Sequence, residues 1–268
     1  MHHDPSALLD LAVDLAEEAG RLLLGYADQR TAGDDLDVRS KSSATDPVSD
    51  ADRAAEQHIA DRLAVARPDD GLLGEEDQAA RTGTSGLRGV VDPLDGTVNF
   101  LYGLDAWSVS IACEDADGAV VGVVHQPITG ETFRAARGGG AWLGERRLAV
   151  SGAGTLAETL VATGFSYDPA TRADQGEMIG ALLAEVRDVR RCGSAALDLA
   201  WCAAGRVDGY LEFALQPWDW AAGALLVREA GGVVSDQHRE LGGTSRLGLI
   251  AGGPASHDAL ATWLEARP

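Results

Sequence analysis

The sequence predicts a mixed α/β fold, and three observations carry that prediction. Leucines at helical spacing (Leu8, Leu11, Leu15, Leu22 and Leu23) open the chain. From about residue 107 to residue 140, alternating apolar stretches follow one another through short turns, the pattern of an antiparallel sheet. From about residue 150, strands alternate with helices. The 268 residues suit one large domain, with an N-terminal α+β half (about 1–150) and a C-terminal α/β half (about 151–268).

Asp4-Pro5 opens the first helix with an N-cap acid and a proline in the first turn. Gly25 and the polar stretch 28–37 end it. Residues 38–47, which include Lys41, are small and polar and read either as a surface loop or as a lid over a site. Ser49-Asp50-Ala51-Asp52 then caps a second helix whose buried stripe is Ala55, Ile59 and Leu63. Acids in that first turn suit the helix macrodipole, so Asp52 has a structural reading beside any functional one.

Gly71 to Gly74 is a short strand that breaks into Glu75, Glu76 and Asp77. A second apolar run ends at Asp92. Trp107, Val109, Ile111 and Cys113 mark a strand with one buried face, Asp115 to Gly118 a hairpin turn, and Ala119 to Val124 the returning strand. Thr132 to Ala136 extends the meander to the turn at Gly138-Gly139-Gly140. Further on come a strand at 159–163, a helix at 174–185, an extended piece at 186–191 and a helix from Gly193-Ser194-Ala195 to about Ala204. A strand at 207–213, a helix opened by Pro217, strands at 233–234 and 247–251, and a helix at about 256–266 complete the chain.

Composition removes several classes of function. The chain carries 22 basic against 42 acidic residues, a formal charge of −20, whereas a nucleic-acid surface is expected to be basic. No run of about 18 apolar residues suggests a membrane span, and the N-terminus shows no basic region followed by an apolar core, so no secretory signal is expected. Cys113, Cys192 and Cys202 are scattered and unpaired in sequence, which suits reduced thiols in the cytoplasm. Phosphate-loop, zinc-helix and nucleophile-elbow patterns are absent, and Gly152-Ala153-Gly154 lacks the strand–turn–helix setting of a dinucleotide fingerprint.

What remains is a set of acids at element ends: Asp52, Glu75, Asp92, Asp95, Glu212 and Asp219. Oxygen-only donors without histidine or cysteine select a hard ion such as magnesium, with manganese possible. The chemistry that needs such a set is metal-assisted hydrolysis of a phosphate ester. A structural calcium site is the bland alternative. The turn after Asp95, with Gly96 and Thr97, also offers backbone N–H groups to an anion.

Three motifs carry a resemblance. Gly74-Glu75-Glu76, Asp92-Pro93-Leu94-Asp95-Gly96-Thr97-Val98-Asn99-Phe100 and Trp218-Asp219-Trp220-Ala221-Ala222-Gly223 resemble, in order, the signatures of the inositol monophosphatase family. The resemblance implies a layered αβαβα sandwich and a lithium-sensitive, magnesium-dependent phosphatase that is often dimeric. Carried over residue by residue, it implies a first magnesium on Glu75, Asp92 and the Leu94 carbonyl. A second would lie on Asp92, Asp95 and Asp219, and a third, weaker one near Glu75 through water. Thr97, paired with Asp52, resembles the water-activating threonine. Gly96 and Thr97 would receive phosphate, and Lys41 matches the family's mobile-loop lysine, favouring the lid reading. Gly193, Ser194, Ala195 and Glu212 fall where the substrate's hydroxyls are met. Leu94 stands where isoleucine is commoner, and Val98 replaces a frequent threonine.

The expectation is therefore a cytoplasmic, homodimeric phosphatase of a small phosphorylated polyol or amino alcohol, most simply inositol 1-phosphate, with no nucleic-acid or membrane partner. Histidinol phosphate is the rival substrate, since the family includes such enzymes, and a non-catalytic metal-dependent module is the rival class.

Overall fold

In the computed structural model the described residues are 4–31, 38–40, 47–76 and 80–267. The chain begins with α1 (Pro5–Thr31), a hairpin of β1 (Val38–Ser40) and β2 (Pro47–Ser49), and α2 (Asp50–Ala66). β3 (Gly71–Gly74), β4 (Arg88–Asp95) and the short α3 (Thr97–Tyr102) follow. The meander is β5 (Ser108–Asp115), β6 (Gly118–Gln126), β7 (Glu131–Ala136), β8 (Gly140–Leu143) and β9 (Arg146–Arg147). The second half contains β10 (Leu160–Ala162), α4 (Pro169–Leu183), β11 (Asp188–Arg190), α5 (Ala195–Ala203), β12 (Gly209–Phe213), α6 (Pro217–Glu229), β13 (Val233–Leu241), β14 (Thr244–Gly252) and α7 (Pro254–Glu265).

β3 to β9 form a seven-stranded sheet in sequence order, antiparallel except for the β3–β4 pair. The other sheet has five strands in the order β11-β10-β12-β14-β13; its first three strands are parallel and the rest antiparallel. Helices α1 and α2 cover one face of the larger sheet, α5 and α6 fill the space between the sheets, and α4 and α7 cover the far side of the smaller one. This is the αβαβα order.

Side-chain alternation explains the layering. Val91, Val109, Ile111, Val121 and Val123 face α1 and α2, whereas Val90, Ala112 and Val124 face α5 and α6. In β12, Tyr210 joins the inner core and Leu211 and Phe213 the outer one. Strands covered on both sides must be apolar on both, and fully burying a valine or leucine side chain is worth roughly 1.5–3 kcal/mol. Close approach fixes the middle layer: a Cβ on Gly122 of β6 would lie 2.9 Å from the Cα of Ala222 in α6.

Several boundaries differ from those expected. α1 runs past Gly25 to Thr31, because Tyr26 and Ala27 continue the stripe that packs on the core. α4 starts at Pro169, since Asp168 caps it by accepting the Thr171 N–H at 2.8 Å. β4 reaches Asp95 rather than stopping at Asp92. β13 is nine residues long, and its polar alternation is that of a sheet edge. Lys41 and Asp77 lie outside the described residues.

Candidate active site

The site is built around the irregular end of β4. Pro93 has no N–H for the ladder, and the register with β5 slips between Asp92 and Asp95. On a regular strand, residues three apart face opposite sides; the slip breaks that parity. Asp95 lines the cavity, and Asp92 feels the charges of Glu75, Asp95 and Asp219. Asp92 Oδ1 accepts the Leu94 N–H at 3.0 Å, which holds the bend. Gly96 then takes a left-handed φ of 99° as the residue before α3, and a Cβ there would lie 3.0 Å from the Ala106 carbonyl.

Helix α2 delivers Asp52 and Glu56 from behind. Asp52 is fully buried, and Thr97 Oγ1 lies 3.0 Å from its Oδ1 and 3.2 Å from the Leu94 carbonyl. The single hydroxyl proton serves one acceptor at a time. Glu56, one turn after Asp52, accepts the Glu76 N–H at 2.7 Å and so fixes the turn that carries Glu75. Its carboxylate occupies the space a Cβ on Gly74 would need, 2.5 Å away.

The start of α5 closes the opposite side. Asp95 Oδ2 accepts from Ser194 Oγ at 2.6 Å and from the Ala196 N–H at 2.7 Å, and the Ala195 N–H adds to this hold of α5 on the carboxylate. Ser194 is also the N-cap of α5. Asn99 donates its amide to the carbonyls of Ala106 and Cys192, at 2.5 and 2.7 Å, and Gly193, next after Cys192, has a φ of 94°.

The smaller sheet supplies Glu212 from β12. Tyr210 donates its hydroxyl to Glu212 Oε2 at 2.9 Å, and the carboxylate fills the space above Gly164, where a Cβ would be only 2.1 Å from Oε1. Ala214 follows with φ 69°, a left-handed turn that ends the strand before Pro217 opens α6. Asp219, in the first turn of α6, accepts the Gln216 N–H at 2.7 Å.

These pieces surround a cavity of about 390 Å³ lined by Glu75, Asp95, Gly96, Gly193, Ser194, Ala195, Asp198, Glu212 and Asp219, with Arg191, Arg246 and Trp218 on the same surface. Burial, followed by repulsion from Glu75, Asp95 and Asp219, holds the Asp92 carboxyl well above the usual range. Burial also raises Asp219 well above it. Asp95 is raised to about 6 by burial, although the bonds from Ser194 and Ala196 pull it down. Glu212 reaches about 7 for the same first reason, moderated by Tyr210. Both Glu212 and Asp219 keep a partly exposed edge on the cavity while the surrounding protein desolvates them.

A hard cation fits this donor set, because buried acids that repel one another gain most from a positive ion with oxygen preference. Among the described residues, no three His, Cys, Asp or Glu side chains already close on one point as a finished coordination shell. The site is a convergence of acids that an ion would draw together.

Of the residues singled out in the sequence, Glu75, Asp95, Gly96, Gly193, Ser194, Ala195, Glu212 and Asp219 line one cavity, and Asp52, Asp92, Leu94 and Thr97 stand directly behind it. Sequence reasoning passed over Glu56, Asp198, Arg191 and Tyr210. Glu56 had a signal: it lies four residues after Asp52, on the face that also holds Ile59. Asp198 had one too, as the lone acid in an otherwise apolar helix.

Comparison with known proteins gives the same picture over the whole chain. The profile of the inositol monophosphatase family matches residues 4–267. The inositol-1-monophosphatase of Mesorhizobium japonicum is 46% identical over 236 residues, 86% of each chain. The Nus factor SuhB of Pasteurella multocida is 42% identical over 230 residues, 85% of each. Among solved structures, the extragenic suppressor protein suhB of Bartonella henselae superposes with a TM-score of 0.88 at 41% identity, covering 98% of this chain and all of that one. Motifs, layered fold and full-length similarity agree, and the chain belongs to the inositol monophosphatase family.

Proposed function

We propose that this chain is a magnesium-dependent phosphatase of small phosphomonoesters, inositol 1-phosphate first among them, acting as a single catalytic domain. The observation that carries the reading is the convergence of Glu75, Asp92, Asp95 and Asp219 beside the Thr97–Asp52 pair. Glu75, Asp92 and the Leu94 carbonyl would hold one magnesium, and Asp92, Asp95 and Asp219 a second. A third would sit near Glu75 through water, and manganese is an alternative ion. When bound, such ions neutralise phosphoryl oxygens and make water a better nucleophile.

The chain's own groups then have separate work. Thr97, held 3.0 Å from Asp52, orients a water for in-line attack, and Asp52 takes up its proton through the threonine hydroxyl. The Gly96 and Thr97 amides receive the phosphate. Gly193, Ser194, Ala195 and Glu212 meet the rest of the substrate; Lys41, the other residue of the resemblance, lies outside the described residues. No side chain is placed as a nucleophile, so no phosphoenzyme forms. The names of the Mesorhizobium relative and of others like it support the choice of substrate.

The test is phosphate release from inositol 1-phosphate and histidinol phosphate, with magnesium and with chelator. Higher kcat/KM on inositol 1-phosphate, lost in chelator and inhibited by lithium, is expected. Preference for histidinol phosphate would move the assignment within the family; magnesium binding without phosphate release from any ester would leave a non-catalytic module. Asp92→Asn should abolish turnover with the fold retained.

The chain is read as a cytoplasmic homodimer, which sedimentation would check. No described helix is long and apolar enough to cross a membrane. Some relatives carry the name Nus factor; the −20 charge supports an absence of direct nucleic-acid binding here, and a gel-shift measurement would test it.

A further inference from the structure

Helix α5 is apolar along almost its whole length, yet its fourth residue is Asp198. The side chain is only 1% exposed, between the fully buried Leu197 and Leu199, and it lines the cavity with Glu212. Among the described residues its Oδ1 has no hydrogen-bond partner, and the carboxyl is hydrogen-bonded to the Cys192 thiol. Burial pushes that thiol up to about 12, so it stays a thiol and a weak donor. An orphaned buried acceptor is costly, and native proteins rarely keep one without a use.

The surroundings say what kind of group would answer it. Arg191, on the same cavity wall, draws both carboxyls down, but burial outweighs it and holds Asp198 well above the usual range and Glu212 at about 7. What is missing is a donor to Oδ1. Glu212 is in a parallel position: Tyr210 holds its Oε2, and the space above Gly164 fixes the carboxylate, leaving Oε1 for a ligand. One wall therefore presents two acceptors from different elements, α5 and β12.

We propose that Asp198 is a specificity-determining residue, its Oδ1 accepting one hydroxyl of a polyol phosphate while Glu212 accepts another. The inference rests on the phosphatase reading above and narrows it: the wall selects esters with two hydroxyl donors. Asp198 touches no reacting atom; it reads the substrate.

The test is a cycle between substrate and enzyme. Using the full chain with magnesium, kcat/KM is measured for inositol 1-phosphate and each monodeoxy analogue, with wild type, Asp198→Ala, Asp198→Asn and Glu212→Ala. For wild type, removal of either of two hydroxyls should cost roughly tenfold or more, because each deletion leaves a buried acceptor unanswered. Asp198→Ala should erase one penalty and Glu212→Ala the other, with Asp198→Asn intermediate because it keeps one carbonyl acceptor. A wild-type series with one penalty or none, or two penalties that both persist in Asp198→Ala, overturns the proposal. If thermal unfolding shows that the alanine variant is not folded, the wild-type series and Asp198→Asn decide: a penalty unchanged in the asparagine variant overturns it as well. Failure of the phosphatase reading is separately visible, since wild type would then release no phosphate from any ester.

Discussion

The Asn99 side-chain amide donates across 2.7 Å to the Cys192 carbonyl, 93 residues further along the chain. One end of the bond is in α3, directly after the acidic turn of the larger sheet; the other is the loop that leads into α5. A second donation, to Ala106, uses the same amide group. Asn99→Ala should cost about 1–3 kcal/mol by stripping two carbonyls of their donor. A chemical-denaturation curve checks the stability. Because the Gly193 loop is then unanchored, KM for inositol 1-phosphate should rise more than kcat falls.

The Thr97–Asp52 contact makes a different prediction. If the pair activates water, Thr97→Val and Asp52→Asn should each lower kcat by about 10²–10⁴, the usual range for a lost acid–base partner, with little change in KM. The double variant should be no worse than the more damaged single one, since the two groups act as a unit. Additive losses in steady-state kinetics would separate their roles.

Glu212 gives a pH dependence whose sign is fixed. Burial holds it at about 7 when folded against an ordinary 4.5. Between those values the folded chain keeps a proton that the unfolded chain has lost, so this group's contribution to stability falls as pH rises from about 4.5 to about 7. His125 pulls the other way below 6.5, because burial lowers its pKa from that value. The readout is therefore the difference in Tm between wild type and Glu212→Gln in chelator, which should change steadily in the variant's favour across the window. Acids held low by arginine, such as Asp115 and Glu131, lose their contribution only below the ordinary carboxylate range and leave this window undisturbed.

Gly164 tests the placement of the same carboxylate. A Cβ there would meet Glu212 Oε1 at 2.1 Å, a distance that forces the acid to move. Gly164→Ala should lower kcat/KM for inositol 1-phosphate by at least as much as Glu212→Ala. Adding Glu212→Ala to Gly164→Ala should recover stability, because it removes the group with which the methyl collides. Thermal unfolding of the three variants checks this.

Much of the site was legible because its chemistry falls at element ends. Asp92, Asp95 and Asp219 each stand where an apolar run meets a turn or where a helix begins, and acids clustered in such places have few structural reasons to be there. The parts that were not legible fail for identifiable reasons. α3 is six residues long and begins with Thr97-Val98, two β-branched residues, so neither period nor propensity announces a helix. The polar run of β13 alternates in burial only because it is an outer strand, a tertiary fact. Glu56 looked like one more solvated acid; its burial depends on Gly74, on another element, leaving room for its carboxylate. Lys41 could be matched by motif, but lies outside the described residues.

The two sheets contribute unlike walls to the cavity. The acids Glu75, Asp92 and Asp95 stand at the ends of β3 and β4 in the seven-stranded sheet, while Glu212 and the Gly164 recess belong to the five-stranded side. On the proposed reading most of the reaction's acids and most of the substrate-reading wall thus have separate supports, with Asp219 of α6 joining the acids from the second half of the chain. An engineer wishing to retarget this enzyme can redraw the second wall, at Gly164, Asp198, Tyr210 and Glu212, and leave the hydrolytic machinery of the first untouched.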